Sequence, residues 1–217
     1  MLQIKTFIFN FINVNTYLLY DETKEAVIID AGNVTPAENE ELKNFVEKEK
    51  LNVKYIISTH PHIDHVLGND YCRNQFGAKL LMHKAGLSIY DESYAYCIAF
   101  GFNPGQFPPA DQYQFNLRYD SEKDIISFGK QHLEVIETPG HADGSVCLIN
   151  HRENLIFVGD VLFEGSIGRT DLPTGNYDLL ISSIKNKIIP LPDDMIVYSG
   201  HGDTTTIGNE KMNNPYL

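Results

Sequence analysis

The stretch STHPHIDH, residues 58–65, carries more information about this chain than any other segment of its length. It places His60, His62, Asp64 and His65 within a few positions of one another. Imidazole and carboxylate groups are the common protein ligands of first-row metal ions. The spacing offers two pairs, His60 with His62 and Asp64 with His65, so one short loop could serve two neighbouring metals. We therefore expect a catalytic centre rather than a structural metal site.

The composition limits the classes of protein that are compatible with this motif. The chain has 217 residues, of which 42% are hydrophobic and 21% are charged, so it can bury an ordinary core. Its 29 acidic and 17 basic residues give a net charge of −12. Because nucleic-acid binding depends on clustered lysine and arginine, this balance argues against nucleic acid as a partner.

The cysteines and the N-terminal segment indicate the compartment. Cys72, Cys97 and Cys147 are widely separated and odd in number, and no C-x-x-C motif is present. We expect buried free thiols in a reducing environment rather than disulfides or a thiolate zinc site. Residues 1–20 have no signal-peptide pattern, and no apolar run is long enough to cross a membrane. These features predict a cytoplasmic protein without a membrane partner.

The pattern of apolar residues predicts a layered α/β sandwich in a single domain, residues 1–217. Strands are expected near 2–9, 15–20, 26–30, 53–57, 79–82, 124–128, 131–137, 145–149, 155–159 and 195–198. Helices are expected near 36–50, 67–76 and 176–188. Residues 88–114 interrupt this alternation with many aromatic residues, prolines and glycines. This insertion is either a lid or substrate wall, or a helical element that packs on the core or on the second subunit of a homodimer.

Three further candidate ligands lie outside the histidine-rich loop. His141, Asp160 and His201 each follow a predicted strand, and each lies next to a glycine. Functional groups of layered α/β proteins gather on loops at strand ends, and glycine lets the backbone approach closely there. Taken singly, each of the three could be an ordinary loop residue. We interpret His83, His132 and His151 as ordinary, because they lack such a context.

The order T-H-x-H-x-D-H, P-G-H, G-D and G-H along the chain resembles that of the metallo-β-lactamase superfamily. The resemblance implies a four-layer αβ/βα sandwich that binds two divalent metal ions at one edge. Zinc is the expected metal, and iron and manganese are the alternatives. It implies that His60, His62 and His141 hold the first metal, that Asp64, His65 and His201 hold the second, and that Asp160 bridges both. Asp64 and Asp160 are then the catalytic carboxylates.

Other motifs are similar to those of short bacterial glyoxalase II (hydroxyacylglutathione hydrolase) proteins. They are Asn15-Thr16-Tyr17, Ile29-Asp30-Ala31-Gly32, the segment 168–173 and, near the C-terminus, the segments 200–202, 205–210 and 214–217. This resemblance implies a small-molecule acyl thioester as substrate. The long enzymes of that family bind glutathione through a C-terminal helical domain, and Asp203 stands where the family usually has proline. The thiol part of the substrate is therefore left open.

Other functions fit the same motifs less well. A persulfide dioxygenase would use one iron at His60, His62 and His141, whereas the best-known β-lactamases of the superfamily carry cysteine where this chain has Asp160. A non-catalytic binding module should have lost some of the ligands. We also expect Asp30 to brace the histidine-rich loop and Arg169 to pair with Asp171.

Overall fold

In a computed structural model, residues 1–99, 114–115 and 124–217 can be described, and they form two six-stranded sheets flanked by helices. The strands are β1 Gln3–Phe9, β2 Val14–Tyr20, β3 Glu25–Ile29, β4 Asn52–Ile57, β5 Lys79–His83, β6 Gln114–Phe115, β7 Asp124–Phe128, β8 Gln131–Glu137, β9 Val146–Asn150, β10 Leu155–Gly159, β11 Leu162–Phe163, β12 Ser166–Ile167, β13 Ile196–Ser199 and β14 Thr205–Thr206. The α-helices are α1 Pro36–Glu49, α2 Ile63–Val66, α3 Asn69–Phe76, α4 Leu87–Ala99, α5 Tyr177–Ser183 and α6 Ile207–Asn213.

Both sheets are mixed. The first has the order β1-β2-β3-β4-β5-β6, in which β1 to β3 are antiparallel and β3 to β6 are parallel. The second has the order β14-β13-β10-β9-β8-β7, in which only β10 and β13 run parallel. The strands β11 and β12 form a separate hairpin.

Three hydrophobic clusters stack these elements into four layers. Within β3, Ile28 packs toward α1, whereas its neighbours Val27 and Ile29 pack toward the second sheet. Within β9, Leu148 packs toward the first sheet and Cys147 packs toward α5. Because successive side chains of a strand point to opposite faces, each sheet is buried on both sides. The predicted four-layer αβ/βα sandwich is confirmed.

Most predicted elements are present, with shifts of one or two residues at their ends. The helix predicted for 36–50 is α1, which begins with a capping box between Thr35 and Glu38 and ends at Lys50 in the left-handed conformation. The helix predicted for 176–188 continues beyond α5 as a π-helix, Ile184–Ile188.

Several short elements were not predicted. The histidine-rich segment is not entirely a loop, because Asp64 and His65 lie in α2, and α3 begins at Asn69 rather than at 67. The strands β11, β12 and β14 and the helix α6 were also missed. Segments this short carry too few residues to show a hydrophobic period.

The aromatic insertion divides into a described and an undescribed part. Its first part is α4, whose Tyr90 and Cys97 are buried. Residues 100–113 and 116–123 lie outside the described part of the chain, so the prediction for that part of the insertion is not tested. Among the described helices, none is long and apolar enough to span a membrane. All three cysteines are buried free thiols.

A buried carboxylate joins the turn after β2 to the turn between β7 and β8. Asp21 is 2% exposed and accepts hydrogen bonds from the amide and hydroxyl of Thr23, the amide of Lys130 and the side chain of Gln131. Burial acts to raise the pKa of Asp21, but these hydrogen bonds outweigh it and hold the pKa well below its ordinary value. The ionised carboxylate therefore stabilises the contact between the two sheets.

Replacing Asp21 should destabilise the protein in a pH-dependent manner. We expect D21N to lower the free energy of unfolding at pH 7 by about 1–3 kcal/mol, because an amide cannot accept all of these hydrogen bonds. Since the folded pKa is depressed, this stabilisation is complete above about pH 4, the ordinary pKa of an unfolded aspartate, and is lost on further acidification. Urea unfolding of both proteins at pH 7 and pH 3 measures the difference in the free energy of unfolding, which should shrink in acid.

The exposed Asp143 provides the control. We expect D143N to change the free energy of unfolding by less than about 0.5 kcal/mol. An equal difference at both pH values would contradict the role of the ionised carboxylate.

Candidate metal centre

The sandwich brings all seven sequence-predicted site residues to one edge. His60 and His62 follow β4, and Asp64 and His65 lie in α2 just beyond them. The other three follow the ends of β8, β10 and β13, and they are His141, Asp160 and His201. Two groups form within this set, one of His60, His62 and His141 and the other of Asp64, His65 and His201. In each group the potential ligand atoms lie within 4.8 Å of one another.

Asp160 lies between the two groups. Its Oδ1 is 3.3 Å from Nε2 of His65, and its Oδ2 is 3.8 Å from Nε2 of His141 and 3.6 Å from Nε2 of His201. Among the described residues, Oδ1 is one of few buried side-chain oxygens with no hydrogen bond. A carboxylate in this position can reach a cation in either group, and a buried oxygen without a hydrogen bond needs such a partner.

Hydrogen bonds on Nδ1 fix the tautomers of two histidines in the first group. The carbonyl of Arg169 lies 2.8 Å from Nδ1 of His141, and since a carbonyl only accepts, this nitrogen carries the proton. The hydroxyl of Thr59 donates its single proton to Asp30, so at 3.1 Å it accepts from Nδ1 of His60. The Nε2 atoms of His60 and His141 are then lone-pair donors, and they face each other at 3.3 Å.

The second group follows the same pattern. Nδ1 of His65 donates to Asp30 at 3.0 Å, and Nδ1 of His201 donates to the carbonyl of Asn13 at 3.2 Å. The two Nε2 atoms lie 3.3 Å apart, and Nε2 of His201 is 3.1 Å from Oδ2 of Asp64. Convergent nitrogen lone pairs and carboxylate oxygens repel one another unless a cation or a proton lies between them. The donor set therefore suits a divalent cation in each group.

Charge and burial act differently on the two groups. In the first, burial and then the neighbouring histidines hold the pKa of His60 well below its ordinary value and lower the pKa of His62 to about 4. Burial also lowers the pKa of His141. These imidazoles are therefore neutral at physiological pH, as metal ligands must be.

In the second group, carboxylates outweigh burial. Burial acts to lower the pKa of His65, but Asp64, Asp160 and Asp30 raise it well above its ordinary value. Burial acts to raise the pKa of Asp64, but His65 and His201 hold it below its ordinary value. This environment favours positive charge at Nε2, which a bound cation would supply in place of a proton.

Asp30 organises both groups from beneath the site. Its Oδ1 accepts from the amide of Thr59, and its Oδ2 accepts from the Thr59 hydroxyl and from Nδ1 of His65. Asp30 is 1% exposed and adopts a positive φ of 53°, which aspartate tolerates better than most residues. Asp30, His60 and His65 also lie close enough together to hold a cation. The oxygens of Asp30 already accept hydrogen bonds, however, so we do not count Asp30 among the candidate ligands. The predicted bracing contact is present, and it reaches His60 through Thr59.

The loop after β13 is held by residues of β2. The side chain of Asn15 donates to the carbonyls of Ser199 and Gly202, and the hydroxyl of Tyr17 donates to that of Ser199. Gly200 lets this loop pass close to Asp160, because a Cβ at position 200 would lie 2.2 Å from Oδ1 of Asp160. The Asn-Thr-Tyr segment quoted above thus positions His201.

A cavity of about 470 Å³ opens over the two groups. Its wall is largely apolar and comes from the turn after β1, α2, α4 and the loop before α5. The apolar residues of this wall are Ile12, Ile63, Ile89, Tyr96, Leu172 and Pro173. The described part of the aromatic insertion therefore lines this cavity with one face and packs on the core with Tyr90 and Cys97.

Comparison with known proteins agrees with this geometry. The family model of the metallo-β-lactamase superfamily matches residues 10–201. The chain belongs to this superfamily. It is a metal-dependent hydrolase of that group, whose members bind divalent metals.

Three relatives illustrate the range of the superfamily. Hydroxyacylglutathione hydrolase GloC of Haemophilus influenzae is 37% identical, over 94% of this chain and 92% of that protein. The crystal structure of BLEG-1 B3 metallo-β-lactamase is 38% identical, with a TM-score of 0.87 and 99% of both chains covered. The structure of TTHA1623 in a di-iron-bound form is 29% identical, with a TM-score of 0.79 and 99% of this chain and 100% of that chain covered.

Some contributors to the site escaped sequence reasoning. Thr59 was part of the quoted motif, but its hydroxyl was not assigned a role. The carbonyls of Asn13 and Arg169 leave no signal in the sequence, because every residue has a carbonyl. The side chain of Arg169 forms the predicted pair with Asp171, at 2.7 and 2.8 Å.

Replacing Asp30 should weaken metal binding without unfolding the protein. Asparagine tolerates the positive φ at this position, but its amide cannot accept from both Thr59 and His65 as the carboxylate does. We expect D30N to lower metal affinity by about 10- to 100-fold, since changes next to metal ligands typically cost that much. Competitive titration against a chromophoric chelator measures the affinity.

A matched variant separates this effect from a general change of charge. Asp70 on α3 accepts a hydrogen bond from Asn74 on the surface and lies outside the site. D70N should therefore bind metal as the original protein does. Equal affinities of D30N and D70N would contradict the bracing role of Asp30.

Proposed function

We propose that this protein hydrolyses small acyl thioesters at a centre of two divalent metal ions. The observation that carries the proposal is the convergence of two groups of lone-pair donors on either side of Asp160. The first metal would be held by His60, His62 and His141, the second by Asp64, His65 and His201, with Asp160 shared between them. Zinc is the first choice of metal, and the di-iron form of the relative TTHA1623 keeps iron as the alternative.

The residues around the centre have distinct tasks. A pair of divalent cations, when bound, lowers the pKa of water enough to supply hydroxide near neutral pH and polarises a carbonyl group. Asp30, Thr59 and the carbonyls of Asn13 and Arg169 keep the Nε2 lone pairs directed inward. The apolar wall limits the access of bulk water to the reacting groups.

The chemistry of the leaving group supports a thioester. A thiol has a pKa near about 8.5 and can leave as a thiolate with little help from an acid. An amide nitrogen would need a proton donor in addition. The name of the relative from Haemophilus influenzae also denotes the hydrolysis of a thioester.

The surroundings of the site support a small substrate in a reducing compartment. The net charge of −12 is unfavourable for nucleic acid, and the cavity has the size of a small-molecule site. The three buried free thiols suit the cytoplasm. A homodimer is part of the proposal.

The variant D160A tests the shared carboxylate. We expect about two equivalents of metal per chain in the original protein and about one or fewer in D160A, as measured by elemental analysis. The kcat/KM for S-lactoyl thioesters should fall by more than about a hundredfold, because even changes next to metal ligands cost up to that much. Removal of metal with a chelator should abolish hydrolysis, and added zinc should restore it.

The exposed Asp194 provides a control of the same residue type, D194A, which should retain both metal and activity. Circular dichroism and urea unfolding establish that D160A is folded. Full hydrolysis by a folded D160A would refute the shared role of the carboxylate. Stoichiometric oxygen consumption with a persulfide would instead identify a dioxygenase.

Hydrolysis of β-lactams is the second candidate function. The similarity to a structure described as a B3 metallo-β-lactamase favours it. The leaving nitrogen of a β-lactam is harder to expel than a thiolate, so we expect slower turnover than with thioesters. A chromogenic cephalosporin measured beside an S-lactoyl thioester decides between the two activities.

A further inference from the structure

The helix α4 presents one face to the cavity over the metal centre. Ile89, Glu92, Ser93 and Tyr96 line the cavity, and their spacing of three and four residues places them on one side of a helix. The buried hydroxyl of Ser93 lies 3.1 Å from the carbonyl of Pro61, within the histidine-rich segment. The same hydroxyl lies closer to the carbonyl of Ile89, at 2.8 Å, so it shares its single proton between its own helix and Pro61. The buried contact with Pro61 nevertheless places α4 directly beside the site.

The charged residues of the cavity wall differ in whether they have an ion-pair partner. Apart from the proposed metal ligands, the charged residues among the described part of the wall are Glu92 and Arg169. Arg169 is engaged by both oxygens of Asp171, at 2.7 and 2.8 Å, so its charge is already matched. Glu92 forms no ion pair with a described residue. Among the described wall residues outside the proposed ligand set, Glu92 is therefore the charge without an opposite partner.

We propose that Glu92 sets the charge preference of the substrate pocket, selecting thioesters whose thiol part is uncharged or cationic and disfavouring those whose thiol part carries carboxylates. This inference rests on the proposed thioester hydrolysis and specifies its substrate class. Glutathione, whose two carboxylates outnumber its single ammonium group, is disfavoured as the thiol.

The geometry of a thioester supports this assignment. Its carbonyl must reach the metal centre, so the remainder of the molecule contacts the wall formed by α4 and the loop at Leu172 and Pro173. Glu92 is itself exposed, so water and salt partly screen its charge, and its field acts on the part of a bound substrate that contacts it. Glu92 is accordingly a specificity-determining residue rather than a catalytic one.

A series of substrates with one acyl group isolates the effect of charge. We would use S-lactoyl esters of thiocholine, of 3,3-dimethylbutane-1-thiol and of 3-mercaptopropionate. The first two have the same shape and differ in charge, and the third carries a carboxylate. The measured quantity is the ratio of kcat/KM for the cationic ester to that for the anionic ester, with the metal-loaded protein at low ionic strength.

The original protein should favour the cationic ester over the anionic one by about tenfold, since each charge contact at a partly exposed site is worth a few-fold. E92Q should bring the ratio close to one, and E92K should invert it. The charge of the metal centre is the same in all of these proteins, so the change in the ratio between them reports on position 92. Added salt should reduce the preference of the original protein, because it screens exposed charges.

Glu41, exposed on α1, provides the matched control. E41Q should leave the ratio of the original protein unchanged. If E92Q keeps the ratio within about twofold of the original, or if the original protein prefers the anionic ester, the role of Glu92 is refuted while thioester hydrolysis stands. If none of the esters is hydrolysed by the metal-loaded protein, the proposed function itself fails, and the inference with it.

Discussion

The carboxylate of Asp30 is the constraint on which the candidate metal centre depends. It binds Thr59 through both oxygens and His65 through Oδ2. Because Thr59 has only one hydroxyl proton, this contact also determines which nitrogen of His60 carries a proton. One buried charge thus sets the ring orientation of a histidine in each group, and both lone pairs point to the space where cations would bind.

The fold makes this arrangement possible by bringing strand ends together. The parallel neighbours β3 and β4 end side by side, so Asp30 lies directly beneath the histidine-rich segment. The ends of β8, β10 and β13 arrive from the second sheet and supply the residues on the opposite side. Close approach at Gly200 and the clamp from Asn15 and Tyr17 then fix the position of His201. Two packed sheets hold the residues of the site in place, whereas α4 contributes side chains to the wall of the cavity above them.

Much of this could be predicted from the sequence, for physical reasons that differ from element to element. Strands such as β2 and β9 have strong apolar patterns because they are buried on both faces. The clustered residues His60 to His65 are recognisable because metal chemistry permits few residue types. By contrast, α2 has only four residues, too short for a period, and the tail from β14 to α6 is stabilised by polar contacts of the buried Glu210 rather than by an apolar stripe.

The sequence by itself determined the residue types of the candidate metal ligands, their order and the alternating strands, because these are local properties of the chain. The resemblance to the superfamily already implied the two groups and the place of Asp160 between them. Only the tertiary structure decided the distances within and between the groups and which nitrogen of each braced histidine faces inward. Those features depend on backbone carbonyls such as that of Arg169 and on distances between residues far apart in the chain. Loop conformation and sheet packing set such distances, and the residue pattern does not encode them in a readable form.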